Sequence, residues 1–288
     1  MAKVFIGVGH GGSDPGAVAN GFKEKDLNLS IALACKDVLV RHGVLVRMSR
    51  TKDENDTLNE EIKECNAYNP DLAVDIHNNA GGGDGAEALC SIGGGKGKTL
   101  AEYILREIVA IGQNSRGVKT KKNSAGRDWY GFIRETSCPA VIVECAFVDN
   151  RTDMQILDNE TEQKEIGVAI AKGILSTLDI AFVEKKKTPS VLEWQKAALA
   201  DGFFFQKYGA DGKWGAECEG VAKKAVVKRR NTYMYPNLTK LVQKAVGVDA
   251  DGKCGVLTET AIKQYQKDHG LYVDASVGIN TWKKILGV

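Results

Sequence analysis

Short apolar runs alternate with segments of helical periodicity over the first 180 residues. The runs of strand length are 4–8, 44–48, 72–76, 86–92 and 140–143. The intervening segments repeat apolar residues every three or four positions, at 26–41, 57–68, 98–112 and 162–178. This alternation predicts an α/β fold, a mostly parallel twisted sheet with helices on both faces. Ligand sites in such sheets lie at the carboxyl ends of the strands.

A different pattern follows in the last hundred residues, where short helical stretches alternate with Asp/Gly turns. The turn at 211–215 is echoed at 251–255 and more loosely at 274–278, and a helical stretch follows each turn. This pattern predicts a small all-α C-terminal domain of two imperfect repeats. Thr258 and Asn280 are the expected helix caps.

Charge divides the chain at the same place. Residues 1–180 carry a net charge of −5 and residues 181–288 a net charge of +7, within a 288-residue chain of net charge +2. The change falls in a lysine run followed by Pro and Ser, which predicts a linker over 182–189 between domains 1–181 and 190–288. The basic domain suggests an anionic polymer as partner, either nucleic acid, a membrane surface or a cell-wall polymer, although solubility alone would also account for it.

Several classes of protein are excluded by what the sequence lacks. No run approaches the roughly 18 apolar residues of a transmembrane helix, so membrane insertion is not expected. The N-terminus has no apolar region or cleavage site of a secretory signal, which predicts synthesis in the cytoplasm. The seven cysteines, an odd number without zinc-finger spacing, are expected to be reduced thiols.

Two glycine-rich segments resemble nucleotide-binding motifs without completing them. The segment 7–12 fits G-x-G-x-x-G, but helical periodicity begins only near Asp26 instead of directly after it. The segment 93–99 lacks the first glycine of a phosphate loop, because Ile92 stands there. Neither segment therefore predicts nucleotide binding.

Two of the four histidines have an unusual placement. His10 and His77 each follow a strand-like run and are flanked by glycines or amides, whereas His42 and His269 precede glycines at helix ends, as structural histidines do. With Glu24, the first two could supply the two imidazoles and one carboxylate of a catalytic zinc site. Structural roles remain open for all three residues, because the sequence does not show that they converge.

A third apolar run ends in an acid, Glu144. A buried carboxylate at a strand end needs a partner, so Glu144 is a candidate general base, with an internal ion pair as the alternative. Cys145 follows directly and raises the rival hypothesis of a cysteine enzyme. Side chains alternate along a strand, so Cys145 should point away from a site that Glu144 faces.

These residues belong to a longer pattern that resembles the zinc-dependent N-acetylmuramoyl-L-alanine amidases of the type-3 family. The matching segments are Gly9–Ala17, Glu24, Asp75–Ala80 and Pro139–Glu144, with Phe147 and Asn150. The resemblance spans residues 1–180. It departs from the family at Asp75, where a small polar residue is common, and in the helix before Asn66, which lacks a basic residue.

The resemblance implies a reaction and a set of roles. His10, Glu24 and His77 would bind one Zn²⁺ per chain, and Glu144 would be the catalytic acid/base. The substrate would be the amide between the muramic acid lactyl group and L-alanine in peptidoglycan. Asn79 and Arg134 are further expected to contact the substrate. Asn79 could stabilise an oxyanion or only shape its loop.

The C-terminal repeats resemble the peptidoglycan-binding family of small helical modules. The resemblance is good over 238–288 and degenerate over 190–236, where Glu217-Cys218-Glu219 replaces a Thr-containing region. Trp214 and Trp282 are the candidates for stacking on wall sugars, although aromatic residues of so small a domain more often form its core.

Together these features predict a peptidoglycan hydrolase of the phage or prophage endolysin type, acting on the wall after release from the cytoplasm. Peptidoglycan is the expected partner, with anionic wall polymers as a further possibility and no nucleic acid. A bacterial autolysin of the same chemistry and a non-catalytic wall-binding protein are the alternatives.

Overall fold

The computed structural model describes residues 1–184 and 188–288, which divide into two compact units, Met1–Val183 and Glu184–Val288. Each unit has its own buried apolar core. The linker predicted over 182–189 includes 185–187, which lie outside the described residues.

A six-stranded sheet forms the centre of the first unit. Its strands are β1 (Lys3–Val8), β4 (Leu45–Met48), β5 (Leu72–Asn79), β6 (Ala86–Cys90), β7 (Ser115–Lys119) and β8 (Ala140–Phe147), in the order β4-β1-β5-β8-β6-β7. All neighbours are parallel except β6 and β8. A separate hairpin pairs β2 (Val18–Ala19) with β3 (Phe22–Lys23).

Helices cover both faces of this sheet, which confirms the predicted fold class. They are α1 (Glu24–Arg41), α2 (Leu58–Tyr68), α3 (Gly95–Ala110), α4 (Gly131–Glu135), α5 (Arg151–Met154) and α6 (Glu160–Thr177). On one face α6 packs against both α1 and α3 over the main core. On the other face α2 and α4 pack together over a smaller cluster around Phe5, Cys65 and Phe132.

Close packing of α6 depends on two glycines. A Cβ at Gly167 would lie 2.5 Å from the carbonyl oxygen of Ile31 in α1, and a Cβ at Gly173 would lie 2.5 Å from the Cα of Ile104 in α3. Both distances are below van der Waals contact. A larger residue at either position would push α6 away from its neighbours.

Two strands are longer than the apolar runs that predicted them. β5 continues through His77 to Asn79, and β8 continues through Glu144 to Phe147. Backbone pairing between the two strands persists beyond the point where apolar residues give way to polar ones. His77 and Glu144 therefore stand within hydrogen-bonded strands and not on the loops after them.

The second unit is helical. Its helices are α7 (Val191–Ala200), α8 (Ala216–Lys224), α9 (Pro236–Val246), α10 (Val256–Asp268) and α11 (Ile279–Leu286), with a 3₁₀ turn at Arg229–Asn231. Among the described residues, no helix has both the length and the apolar content to cross a bilayer.

The caps expected at Thr258 and Asn280 are wrong. α10 and α11 begin after Gly255 and Gly278, which precede them in extended conformation. The Thr258 hydroxyl instead lies 3.1 Å from the Gln243 amide nitrogen and 3.4 Å from the carbonyl oxygen of Lys253. The Thr258 side chain therefore takes part in a hydrogen-bonded turn network and does not cap α10.

That turn network occurs at each of the three Asp/Gly turns that the sequence predicted, so the second predicted repeat contains two of them. In each case a glutamine amide donates to an Asp carboxylate and to the carbonyl oxygen two residues further on. The pairs are Gln195–Asp211, Gln243–Asp251 and Gln266–Asp274. The glutamines are almost fully buried, so these bonds satisfy polar groups that water cannot reach.

Candidate active site

The three residues predicted to bind metal converge beside the sheet. The Glu24 carboxylate lies between two imidazoles, with Oε2 3.2 Å from His10 Nε2 and Oε1 3.0 Å from His77 Nδ1. One potential ligand atom from each residue lies within 4.8 Å of the other two. His10 follows β1, His77 lies in β5 and Glu24 is the first residue of α1.

Glycines make this approach possible. A Cβ at Gly9 would lie 2.1 Å from His77 Cε1, far closer than van der Waals contact between two carbon atoms allows. A Cβ at Gly16 would lie 2.6 Å from both Glu24 Oε2 and His10 Cδ2. Gly9, in the segment that resembled a nucleotide motif, therefore leaves space for His77, and Gly16, which follows that segment, leaves space for Glu24 and His10.

An outer carboxylate orients each imidazole. Asp14 Oδ2 lies 2.8 Å from His10 Nδ1, and Asp75 Oδ2 lies 3.2 Å from His77 Nε2. Each ring thus has one nitrogen toward Glu24 and the other toward a second acid, an arrangement that fixes the ring and raises its basicity. The sequence pattern contained both aspartates but did not reveal these contacts.

The electrostatics of the cluster favour charged forms of its members. Burial by itself would raise the pKa of Glu24, but hydrogen bonds with His10 and His77 hold that pKa far below its usual value. The hydrogen bond to Glu24 raises the pKa of His10. Burial opposes the charged form of His77, but Asp75 and Glu24 raise its pKa well above the ordinary value.

Glu144 stands beside this cluster on β8. It is the register partner of His77 on β5. Its Oε2 is buried and has no hydrogen-bond partner among residues 1–184 and 188–288. Burial raises the pKa of Glu144 to about 7, which suits a group that accepts and returns a proton near neutral pH.

These residues open into a cleft of about 330 Å³. Its walls come from β1, β5, β8 and the segment after β1, and from α2, α4 and the residues just before these two helices. The lining residues are Val8, Gly9, His10, Asp14, Asp56, Leu58, Glu61, Asp75, His77, Tyr130, Gly131, Phe132, Ile142 and Glu144.

The sequence analysis missed three polar members of this lining, Asp56, Glu61 and Tyr130. Glu61 lies on the buried side of α2, and burial raises its pKa well above normal, with the nearby Asp75 charge adding to the effect. The sequence did contain a signal for Glu61, because an acidic residue at a position that faces inward on an amphipathic helix is unusual. Nothing in the local sequence marks Tyr130, because a short irregular segment carries it.

The two predicted substrate contacts do not line the cleft. Asn79 Oδ1 accepts the N–H of Ala80 at 2.8 Å, and its Nδ2 lies 3.4 Å from Glu87 Oε1, as expected if the side chain shapes its loop. Arg134 donates to the carbonyl oxygens of Asp128 at 2.8 Å and Trp129 at 2.7 Å. Substrate contact by Asn79 or Arg134 stays a prediction.

Cys145 does not offer an alternative nucleophile. Its side chain is buried in the main core, on the face opposite to the cleft. Burial raises the pKa of its thiol well above the ordinary value, so the reactive thiolate is suppressed.

One of the two candidate wall-binding tryptophans is in the wrong place for that role. Trp282 is 0% exposed and packs at 5.9 Å from Trp194 in the core of the second unit, so it cannot stack on a sugar. Trp214 is half-buried and lies 4.9 Å from the same Trp194 ring. Both rings stabilise the helical core first.

Two family models match the chain. The model described as N-acetylmuramoyl-L-alanine amidase covers residues 4–176. The model described as putative peptidoglycan binding domain covers residues 237–285, within the helical unit. Together they include the whole cleft and the last two of the three turns.

Curated relatives and solved structures agree with these matches. The chain is 36% identical to N-acetylmuramoyl-L-alanine amidase CwlM of Bacillus licheniformis, over 69% of this chain and 76% of that protein. It is 34% identical to the endolysin of Bacillus phage SPP1, over 96% of this chain and 97% of that protein. The catalytic domain of CwlV, an amidase from Bacillus (Paenibacillus) polymyxa var. colistinus, superposes with a TM-score of 0.56 at 28% identity, over 63% of this chain and 100% of that one.

Proposed function

Because this chain belongs to the N-acetylmuramoyl-L-alanine amidase family, we propose that it hydrolyses the amide between N-acetylmuramic acid and L-alanine with the help of one zinc ion. The observation that carries the proposal is the Glu24 carboxylate placed between two imidazoles, with Glu144 beside them on β8, whose buried Oε2 has no hydrogen-bond partner in the part of the chain that the structure describes.

The residues present fit a zinc ion. Two imidazole nitrogens and one carboxylate oxygen are a common donor set of catalytic zinc, which keeps a further position for water or substrate. Asp14 and Asp75 contact the outer nitrogens of the two rings, as the partners of metal-bound histidines do. His10, Glu24 and His77 would hold the ion.

Glu144 would carry the proton transfers. A bound zinc ion would act as a Lewis acid that polarises the scissile carbonyl and lowers the pKa of water. The Glu144 carboxylate would accept a proton from the attacking water and return it to the nitrogen of the leaving L-alanine. Its near-neutral pKa allows both transfers, and the apolar side of the cleft, with Leu58 and Phe132, would limit access of bulk water.

The helical unit would hold the enzyme on its substrate. Residues 237–285 match a peptidoglycan-binding family, and residues 181–288 carry a net charge of +7. A basic surface would favour binding to an anionic wall. Retention on the wall would raise the concentration of the catalytic unit near its substrate.

An endolysin role is our proposal for the biological setting. It is supported by the 34% identity with a phage endolysin along nearly the whole of both chains, including the helical unit. The similarity to the Bacillus licheniformis amidase, which covers 69% of this chain, supports a bacterial autolysin as the alternative.

Purified sacculi test the reaction. We expect new free amino termini of L-alanine to appear with the wild-type chain, to be suppressed by a chelator and to return on addition of zinc. Iodoacetamide should leave the rate unchanged, because Cys145 is buried and the half-buried Cys138 is not among the residues that line the cleft. Release of reducing sugar ends without new amino termini, or inhibition by iodoacetamide but not by the chelator, would contradict the proposal.

A further inference from the structure

The first of the three Gln–Asp turns differs from the other two in length. Gln195 and Asp211 are 16 positions apart, whereas Gln and Asp are 8 positions apart in the second and third turns. The hydrogen bonds at the ends of the connection are the same in all three. The first connection, the segment between Gln195 and Asp211, therefore contains residues that are not needed to form the turn.

The longer connection presents aromatic and cationic side chains to solvent. Phe204 is 76% exposed and Tyr208 is 64% exposed. Lys207 lies between them in this segment, and its Nζ is 5.0 Å from the centre of the Tyr208 ring. Phe205 turns inward and joins the core.

A cavity of about 520 Å³ lies under this connection. Its walls include Phe205, Lys207, Tyr208, Lys213, Glu217 and Cys218. The N–H of Lys207 donates to Glu217 Oε1 at 3.0 Å, which ties the connection to the start of α8. The volume falls within the range of about 300–1,000 Å³ that small-molecule sites occupy.

We propose that this cavity is a wall-binding site of the helical unit and that it binds a muropeptide, an N-acetylated amino sugar carrying a short acidic peptide. This inference rests on the proposed function for its choice of ligand. The site lies outside residues 237–285, which match the peptidoglycan-binding family. It replaces Trp282, which is buried, as the place where sugar is bound.

The chemistry of the walls favours this ligand. The exposed ring of Tyr208 can stack on the apolar face of a sugar, and the largely buried Phe205 gives the cavity an apolar wall for the acetyl methyl group. Within residues 1–184 and 188–288, neither Lys207 nor Lys213 has a carboxylate within ion-pair distance, so both ammonium groups are available to carboxylates of the peptide.

The acids in the wall argue against a polyanion. Asp211 and Glu217 line the same cavity as the two lysines. A ligand with both amine and carboxylate groups complements such a mixed wall, whereas a phosphate polymer would be repelled by its acidic part. The competing occupant, an anionic wall polymer, becomes an outcome of the test.

The test uses the full chain with Glu144→Gln, so that the wall is not digested, and sacculi stripped of anionic polymers by acid. Tyr208→Ala and Lys213→Gln are compared with Tyr272→Ala and Lys253→Gln. Tyr272 is 86% exposed in the third connection, and Lys253 occupies in the second turn the position of Lys213 in the first. All four side chains are exposed, so the variants should keep the thermal midpoint of the parent.

We expect Tyr208→Ala and Lys213→Gln each to weaken sedimentation with stripped sacculi by about tenfold, and the two controls to change it by less than about twofold. Quenching of tryptophan fluorescence by a soluble muropeptide should follow the same order. Equal binding of all variants, or binding that disappears when anionic polymers are stripped, would overturn the inference. The Glu144→Gln chain, in which all four changes are made, does not cut the wall. The binding results therefore do not depend on whether the wild-type chain releases amino termini, which is the test of the proposed function.

Discussion

Glu144 and His77 are register partners on the adjacent parallel strands β8 and β5. Opposed residues on neighbouring strands project to the same face, so the candidate proton carrier and a candidate ligand share one side of the sheet. The next residue on β8, Cys145, projects into the core on the other side. The pairing of two strands thus fixes where proton transfer would take place.

Glu144→Gln should abolish catalysis without loss of zinc. Glutamine has nearly the same shape but cannot accept a proton, so we expect the rate on sacculi to fall by about 10²–10⁴-fold. Zinc content measured by atomic absorption should equal that of the wild type. His77→Ala is the matched comparison and should lose both zinc and activity. A Glu144→Gln protein with wild-type activity would contradict the role of Glu144.

Asp14→Asn and Asp75→Asn should weaken zinc binding while leaving the three ligands in place. Each change removes a carboxylate that contacts the outer nitrogen of an imidazole, and loss of such a partner costs about 10–100-fold in metal affinity. Competition with a chromophoric chelator measures the affinity. Asp158→Asn, an exposed position away from the cleft, is the control. Unchanged affinity in both variants would show that the aspartates do not support the rings.

Zinc should stabilise the protein more at about pH 8 than at about pH 5.5. In the metal-free protein the pKa values of His10 and His77 are raised, so protonation of the folded state stabilises it below pH 6.5, and this contribution is lost as pH rises through the raised values. Zinc needs neutral imidazoles and must displace those protons, so its affinity rises with pH. Thermal midpoints with and without zinc at both pH values check the sign. A larger zinc-induced shift at the lower pH would contradict it.

Gly9→Ala should disrupt the site, although it adds only one methyl group. The new Cβ would lie 2.1 Å from His77 Cε1, so the ring must leave its position. We expect loss of zinc binding together with activity. Gly93→Ala is the control, because its Cβ would have its nearest contact at 3.5 Å, with Ser91 Oγ, and should change the free energy of unfolding by no more than about 0.5 kcal/mol. Zinc titration and thermal unfolding of both variants separate a local effect from general damage.

The periodicity of the sequence was sufficient for the fold class and for the position of the site residues along the chain. Apolar runs of strand length and helical spacing are local properties, and they placed His77 and Glu144 at the polar ends of two runs. The periodicity could not show that β6 runs antiparallel to β8, because strand direction depends on contacts between distant segments. It also did not predict α4, a five-residue helix too short to show a period.

What the sequence determined by itself was the kinds of residue available: two histidines among glycines and amides, two acids near strand and helix boundaries, and a repeated Asp/Gly turn. What only the tertiary structure decided was which of them meet. Fifty-three positions separate Glu24 from His77, yet their side chains lie 3.0 Å apart. Trp282 looked suited to binding sugar and is buried instead. The physical reason is that spacing along a chain fixes local conformation, whereas distances between side chains depend on how the sheet orders its strands and how the helices pack on it.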